Sequence, residues 1–377
     1  MTDTVAKNPG RRRLLGLTMT CSAALLLGLA SADLAAAEVD FSGQTIRFVV
    51  PFGEGGAADI YARQMAAGLS THLPGQPSIV VQNIGGAGGR AGANAFQREA
   101  EPDGLTVLAT SPSTLTSFMV GAEGVEYDLS AYTPVHVGLL NAVAYTRAEV
   151  GLGEAETLEE KIEDLRAFDL VYGDSAPNAG PLRFILSLHL LGVEPRAVWG
   201  LSGGGPRRQA FERGEFQINY ESSSAIVTRV LDWVEAGDVD LFFQFGTLTE
   251  DDEIARDALF PDVPTFGEYY EALHGSAPEG PLWRAWQSLF FSSTVFNKAL
   301  WLPEGTPDEI IEAYTAAVEA TLSDPEWTTG VGQSFYDVST SFTGPQTRDM
   351  VSEHLVLDEE TLEALRVFLD EVYDADL

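Results

Sequence analysis

The chain is almost without cysteine and almost without lysine. Its single cysteine, Cys21, lies inside an N-terminal apolar run, so the rest has no disulfide, thiol nucleophile or thiolate metal ligand. A lipoprotein signal would place that cysteine at the end of the run, whereas Ala23 to Ala30 continue it. Lysine occurs only at Lys7, Lys161 and Lys298. Lys plus Arg total 22 against 56 Asp plus Glu, a net charge of −34, with no basic patch to draw in a phosphate backbone. Nucleic-acid binding is excluded on that ground. The G-x-x-x-x-G-K-[ST] phosphate loop is missing, and the histidines at 72, 136, 189, 274 and 354 show no short ligand spacing. Acidic runs such as Asp251-Asp252-Glu253 lack the calcium-loop pattern and read as solvated charges. No metal or cofactor is expected.

What is present is enough for a large core: 377 residues, 45 % hydrophobic and 10 % aromatic. Residues 1–37 read as a secretion signal. Lys7, Arg11, Arg12 and Arg13 precede an apolar stretch from Leu14 to Ala30, and small-residue sites follow at Ala30-Ser31-Ala32 and Ala35-Ala36-Ala37. Cleavage after Ala37 leaves 18 basic and 54 acidic side chains, a net charge of −36. Acids so widely spread are expected to form a surface suited to high salt, where screening lowers self-repulsion. The arginines leave a general or a twin-arginine export route open.

The hydropathy pattern alternates strand, glycine loop and helix. Thr45 to Val50 is a strand stopped by Pro51, and Tyr61, Met65, Leu69 and Leu73 then mark one helix stripe. Strands at Ser78 to Val81 and Leu105 to Ala109 flank a second glycine loop and a helix near Ala93 to Arg98. After an apolar run at Leu139 to Tyr145 the pattern restarts, with a strand at Phe168 to Tyr172, a loop to Gly180 and a helix from Leu182. This predicts an α/β fold in which each lobe is a mostly parallel sheet flanked by helices, with ligands at the carboxyl ends of the strands. The two N-terminal loops, Phe52 to Asp59 and Asn83 to Gly92, fall there. Each can turn several N–H groups and a helix start toward one anion.

Two motifs offer competing chemistry. Gly86-Ala87-Gly88-Gly89-Arg90-Ala91 fits a dinucleotide fingerprint, but it follows the second strand and has no acidic residue ending a later strand. Gly200-Leu201-Ser202-Gly203-Gly204 fits a nucleophile elbow, with His274 or His354 as the later histidine. Serine hydrolysis is therefore the alternative reading.

The ordered set Val49-Val50-Pro51-Phe52, Gly55-Gly56 with Asp59, Asn83 with Gly86, Gly88-Gly89 and Gly92, and Pro102-Asp103-Gly104 resembles one family. So do Tyr172-Gly173, Gly203-Gly204, Phe260 to Thr265 and Pro303-Glu304-Gly305-Thr306-Pro307. The chain resembles the extracytoplasmic solute-binding receptors of tripartite tricarboxylate transporters, the Bug-type proteins. The resemblance implies a two-lobed flytrap of the type II periplasmic-binding-protein kind, monomeric and periplasmic. It would deliver a small organic anion, commonly a carboxylate, to membrane subunits. The lobes are expected at 38–142 plus 289–377 and at 143–288. On the first lobe the resemblance assigns ligand contacts to Phe52, Gly55, Gly56, Ala57, Ala58, Asp59, Asn83, Gly86, Ala87 and Gly88. On the second it assigns Ser175, Asn178, Ala179, Gly180, Ser202, Gly203, Glu221 and Ser222. Asp174 and Glu221 depart from the family pattern. Either one facing the cleft would oppose a dianion unless paired, and would suit an amino group.

Overall fold

The β1 strand (Thr45–Val50) lies between two parallel neighbours, β2 (Ser78–Asn83) and β3 (Thr106–Thr110). The computed structural model describes residues 39–201, 204–249, 251, 253–336 and 339–376. The expected secretion signal lies outside them, as do Ser202 and Gly203. Burial follows each strand's position. β3 is buried at every residue, whereas β2, at the sheet edge, alternates between exposed and half-buried. The sheet continues from β3 through β12 (Lys298–Leu302), β4 (Thr133–Leu139) and β13 (Thr340–Phe342), each antiparallel to its neighbour. Parallel pairing is thus confined to the first three strands, and the sheet is mixed rather than mostly parallel.

The second lobe is mixed as well. β5 (Ala142–Arg147) pairs antiparallel with β8 (Ile218–Ser222) and β9 (Val239–Gln244), while β6 (Val171–Asp174) and β7 (Arg196–Trp199) are parallel. Gln217 joins the two sets: its N–H donates to the Val171 carbonyl and its Oε1 accepts from the Val171 N–H. A short antiparallel pair, β10 (Thr247–Leu248) and β11 (Ile254–Ala255), follows.

The apolar run expected as one strand from Leu139 to Tyr145 is cut in two. Leu140 and Asn141 carry the chain from β4 in one sheet to β5 in the other. Asn141 explains why the break holds. Its amide donates to Gln244 Oε1 at 2.9 Å, its Oδ1 accepts from the Gly246 N–H at 2.8 Å, and its carbonyl accepts from Ser223. Its side-chain amide and its carbonyl are thus all used at the crossing. The return passage is different. A helix over Pro281–Phe290 runs into a wide π turn, Phe291–Val295, before β12.

Helices cover both sheets. α1 (Ala57–His72), α2 (Arg90–Glu99) and α3 (Pro112–Met119) follow β1, β2 and β3; α4 (Leu158–Ala167), α5 (Leu182–Leu190) and α6 (Gly204–Glu212) belong to the second lobe. After α7 (Phe266–His274) comes α8, the Pro281–Phe290 helix, then α9 (Asp308–Ser323), α10 (Gln346–His354) and α11 (Glu359–Tyr373). The last helix packs on α8, with Phe368 against His189 of α5 and Tyr373 against Trp199 of β7. Although chain-continuous with the first lobe, it is seated on second-lobe elements. Among the histidines His189 on α5 is half-buried, whereas His136 on β4 is fully buried. Among the described residues no helix is long and apolar enough to cross a membrane.

Candidate functional site

Because β1, β2 and β3 are parallel, α1, α2 and α3 all begin at one edge of the sheet. Their first N–H groups cannot bond within the helix. The residues before them, Gly56, Gly89 and Ser111, make no side-chain cap. Elsewhere α4 and α7 close their N-termini with full capping boxes, Thr157 with Glu160 and Thr265 with Glu268. Three positively polarised helix starts without side-chain caps therefore face the same end of the sheet, although at α2 the Arg90 and Ala91 N–H groups already reach the Ala87 and Gly86 carbonyls.

The two glycine loops are joined. Asn83 donates to the Phe52 carbonyl and to Asp59 Oδ1, both at 3.0 Å. The buried Asp59 carboxylate also accepts from the Gly55 N–H at 2.9 Å and from Arg63 Nε at 3.0 Å. Burial works to raise its pKa, but the bonds from Arg63, Gly55 and Asn83 outweigh that, and the carboxyl is held below its ordinary value. Asp59 is thus a brace that holds the loops, with its charge already partnered. Residues 86 to 89 all have positive φ, including Ala87 at 48°, an uncommon conformation for a side-chain-bearing residue. At Gly89, with φ of 98°, a Cβ would stand 2.7 Å from Thr114 Oγ1 and 2.9 Å from Phe52 Cζ. Gly55, Gly56, Ala57 and Gly85 to Gly88 are open to solvent, whereas Ala58 points into the core beneath α1.

The start of α3 adds unpartnered hydroxyls to this edge of the sheet. Thr114 Oγ1, beside Gly89, is buried with no hydrogen-bond partner, as are Thr116 Oγ1 and Thr294 Oγ1 of the π turn against which α3 packs. Ser113 Oγ lies 3.7 Å from the place a Cβ would take on Gly180. The loop at 175–180 therefore meets the first lobe at α3. The sequence signal was weak: Ser111-Pro112-Ser113-Thr114 is a Pro-started helix after a strand, with no glycine to mark it.

The second wall holds the charges. Asp174 accepts from Tyr172 Oη and the Ser175 N–H, both at 2.7 Å, and pairs with Arg207. Arg207 also donates to the Tyr220 carbonyl at 2.9 Å, and its guanidinium lies 4.3 Å from the Tyr220 ring centroid. Burial pulls its pKa down, but Tyr220, Asp174 and Tyr172 prevail and push it up. Glu221 pairs with Arg208 at 3.1 Å. Arg183, the second residue of α5, stacks on Phe245 at 3.6 Å. These three arginines were not singled out from the sequence, where nothing distinguishes them from surface cations.

Other expected residues are placed as follows. The Ser175 carbonyl accepts from the Gly200 N–H and Ala179 closes the turn into α5. Asn178 donates to the Asp376 carbonyl at 2.8 Å, and Ser222 ends β8 half-buried. Of the triad candidates, His274 lies 3.3 Å from the Leu190 carbonyl and His354 stacks on Phe291. Among the described residues no group of three or more His, Cys, Asp and Glu could hold a metal ion.

No family model matches the chain. It is 27 % identical over 299 residues to the UPF0065 protein of the TAR-I ttuE-ttuC' intergenic region of Agrobacterium vitis, covering 78 % of this chain and 75 % of that one. The TctC solute binding protein from Polaromonas, solved without ligand, superposes with a TM-score of 0.61 at 18 % identity, covering 85 % of this chain and 97 % of that one. MatC from Rhodopseudomonas palustris, solved with malate, gives 0.56 at 22 % identity, with the same two coverages. The chain thus shares the fold of these solute-binding proteins, and its sequence is similar to the UPF0065 relative over most of its length. A two-lobed fold of that kind accounts for the mixed sheets, the Asn141 crossing and the approach of the loop at 175–180 to α3.

Proposed function

We propose that the chain is an exported receptor that captures a small organic anion of the carboxylate class between its lobes. It would pass the ligand to the membrane subunits of a tripartite transporter. The observation that carries this is the convergence of three helix starts without side-chain caps on one edge of the first sheet. Their remaining neutral N–H donors, with the helix dipoles, favour an oxyanion in a molecule whose overall charge repels one. The malate in the MatC structure is consistent with such donors. The ligand would lie against Gly55 to Ala57, Gly86 to Gly88 and Thr114 on one side and Ser175 to Gly180 on the other. The lobes are taken at 38–142 plus 289–377 and at 143–288, with α11 packed across onto the second.

Recognition of an ammonium group by Asp174 or Glu221 is disfavoured, because both carboxylates already have arginine partners. The Ser202 elbow implies an esterase and is checked directly: Ser202→Ala should leave ester hydrolysis at the background already present in the parent. The receptor reading is tested by a melting screen of the purified mature chain against carboxylates, sulfonates, amino acids and neutral sugars. Carboxylates should raise the midpoint as ligand binding stabilises the folded state. A shift with neutral sugars alone would refute the anion reading.

A further inference from the structure

Arg183 is the one member of the second-lobe arginine cluster that lacks a countercharge. It is 4 % exposed, and its Nε and Nη1 have no hydrogen-bond partner. Arg207 and Arg208 also leave Nε unpartnered, but each pairs with a carboxylate. Among the described residues no carboxylate lies within ion-pairing distance of Arg183. Burial pulls its pKa down to about 9, so it still carries its charge at neutral pH. Three guanidinium groups thus share two carboxylates around Tyr220, and one positive charge is left over inside a molecule that is otherwise heavily negative. A buried charge without a partner is costly, and a protein keeps one where something else supplies the opposite charge.

The position says where that partner would come from. Arg183 follows the loop whose Gly180 meets Ser113 of the first lobe. The face of its guanidinium is taken by Phe245, next to the Gly246 N–H that bonds to the crossing residue Asn141. Stacking on Phe245 holds the guanidinium plane and leaves its edge for a planar oxyanion. We propose that Arg183 is a specificity-determining anchor that pairs with a second acidic group of the bound anion, so that the receptor prefers a diacid to the same molecule with one acid masked. This rests on the receptor reading above. The first-lobe N–H groups would hold one oxyanion and Arg183 the other.

The test is calorimetric titration of the mature chain with the diacid series from malonate to adipate and with the matching monoamides. The parent should bind at least one diacid, and roughly thirtyfold or more tightly than its monoamide. Arg183→Met should lose that preference while binding the monoamide as the parent does, and Arg183→Lys should restore part of it. The ligand-free Arg183→Met chain should melt at or above the parent, since it removes an uncompensated charge. Undiminished diacid preference in Arg183→Met would overturn the anchor and leave the receptor reading standing. A large drop in the melting point of ligand-free Arg183→Met, shared by Arg183→Gln, would make the residue structural and overturn it too. Absence of binding by the parent to every diacid and monoamide would overturn the anchor; the receptor reading falls with it only if the wider melting screen is also blank.

Discussion

A buried pair on β4 and α1, His136 with Tyr61, contributes to how stability changes in acid. His136 is fully buried, and burial lowers its pKa to about 3. Tyr61, whose pKa burial raises well above the ordinary value, keeps its proton and donates to His136 Nδ1 at 2.6 Å; Nε2 then carries the hydrogen toward Ser341 Oγ at 3.1 Å. A neutral ring thus uses both nitrogens. The unfolded histidine takes up a proton near 6.5, which the folded one refuses until about pH 3. Stability from the neutral ring is therefore complete above 6.5 and is lost as pH falls toward 3, at about 1.4 kcal/mol per pH unit. Urea unfolding of the parent and of His136→Gln at pH 7.5, 6, 5 and 4 should show the parent falling more steeply with acid. Parallel slopes would mean the imidazole is protonated in place. Asp59 contributes in the same direction at lower pH: its folded pKa is depressed, so its share of stability is present above the ordinary 3.8 and lost below it.

At the level of the elements, the site depends on how closely the loops approach. Gly89 lets α2, Phe52 and Thr114 meet, and a methyl group there would collide with both while forcing φ of 98° on an L residue. Gly89→Ala should cost about 1 kcal/mol or more and weaken ligand binding, read by melting and titration together. A variant with parental stability and affinity would show that the approach is not needed. The order strand, glycine loop, helix was legible because Thr45 to Val50 and the Tyr61, Met65 and Leu69 stripe carry clean periodicities, and glycine marks the loops. What was not legible depends on tertiary contact. The cut at Leu140-Asn141 falls inside an apolar run, and partners distant in sequence make it hold: Gln244, Gly246 and Ser223 at Asn141, and the Thr294 carbonyl at the Leu140 N–H. Arg183, Arg207 and Arg208 look like any arginines until β6, β8 and Phe245 enclose them. Antiparallel β12 and β13 come from distant segments whose direction no local pattern records.

For the whole molecule, charge and closure dominate. With a net charge of −34, repulsion should destabilise the compact state at low ionic strength. The melting midpoint should rise by several degrees from about 0.05 to 2 M sodium chloride, beyond any rise in a neutral osmolyte series. A flat salt series would show the acids to be compensated locally by pairs such as Arg256 with Glu268. The receptor reading puts the ligand between the lobes, beside the place where Ser113 approaches Gly180. Small-angle scattering should therefore show compaction when a ligand is present. The most direct measurement of the central claim is equilibrium titration of the mature chain with a dicarboxylate and with its diamide, equal in shape and without charge. Saturable one-to-one binding of the acid with none of the diamide is the result the account predicts. Equal binding of the two, or binding of the diamide alone, would contradict it.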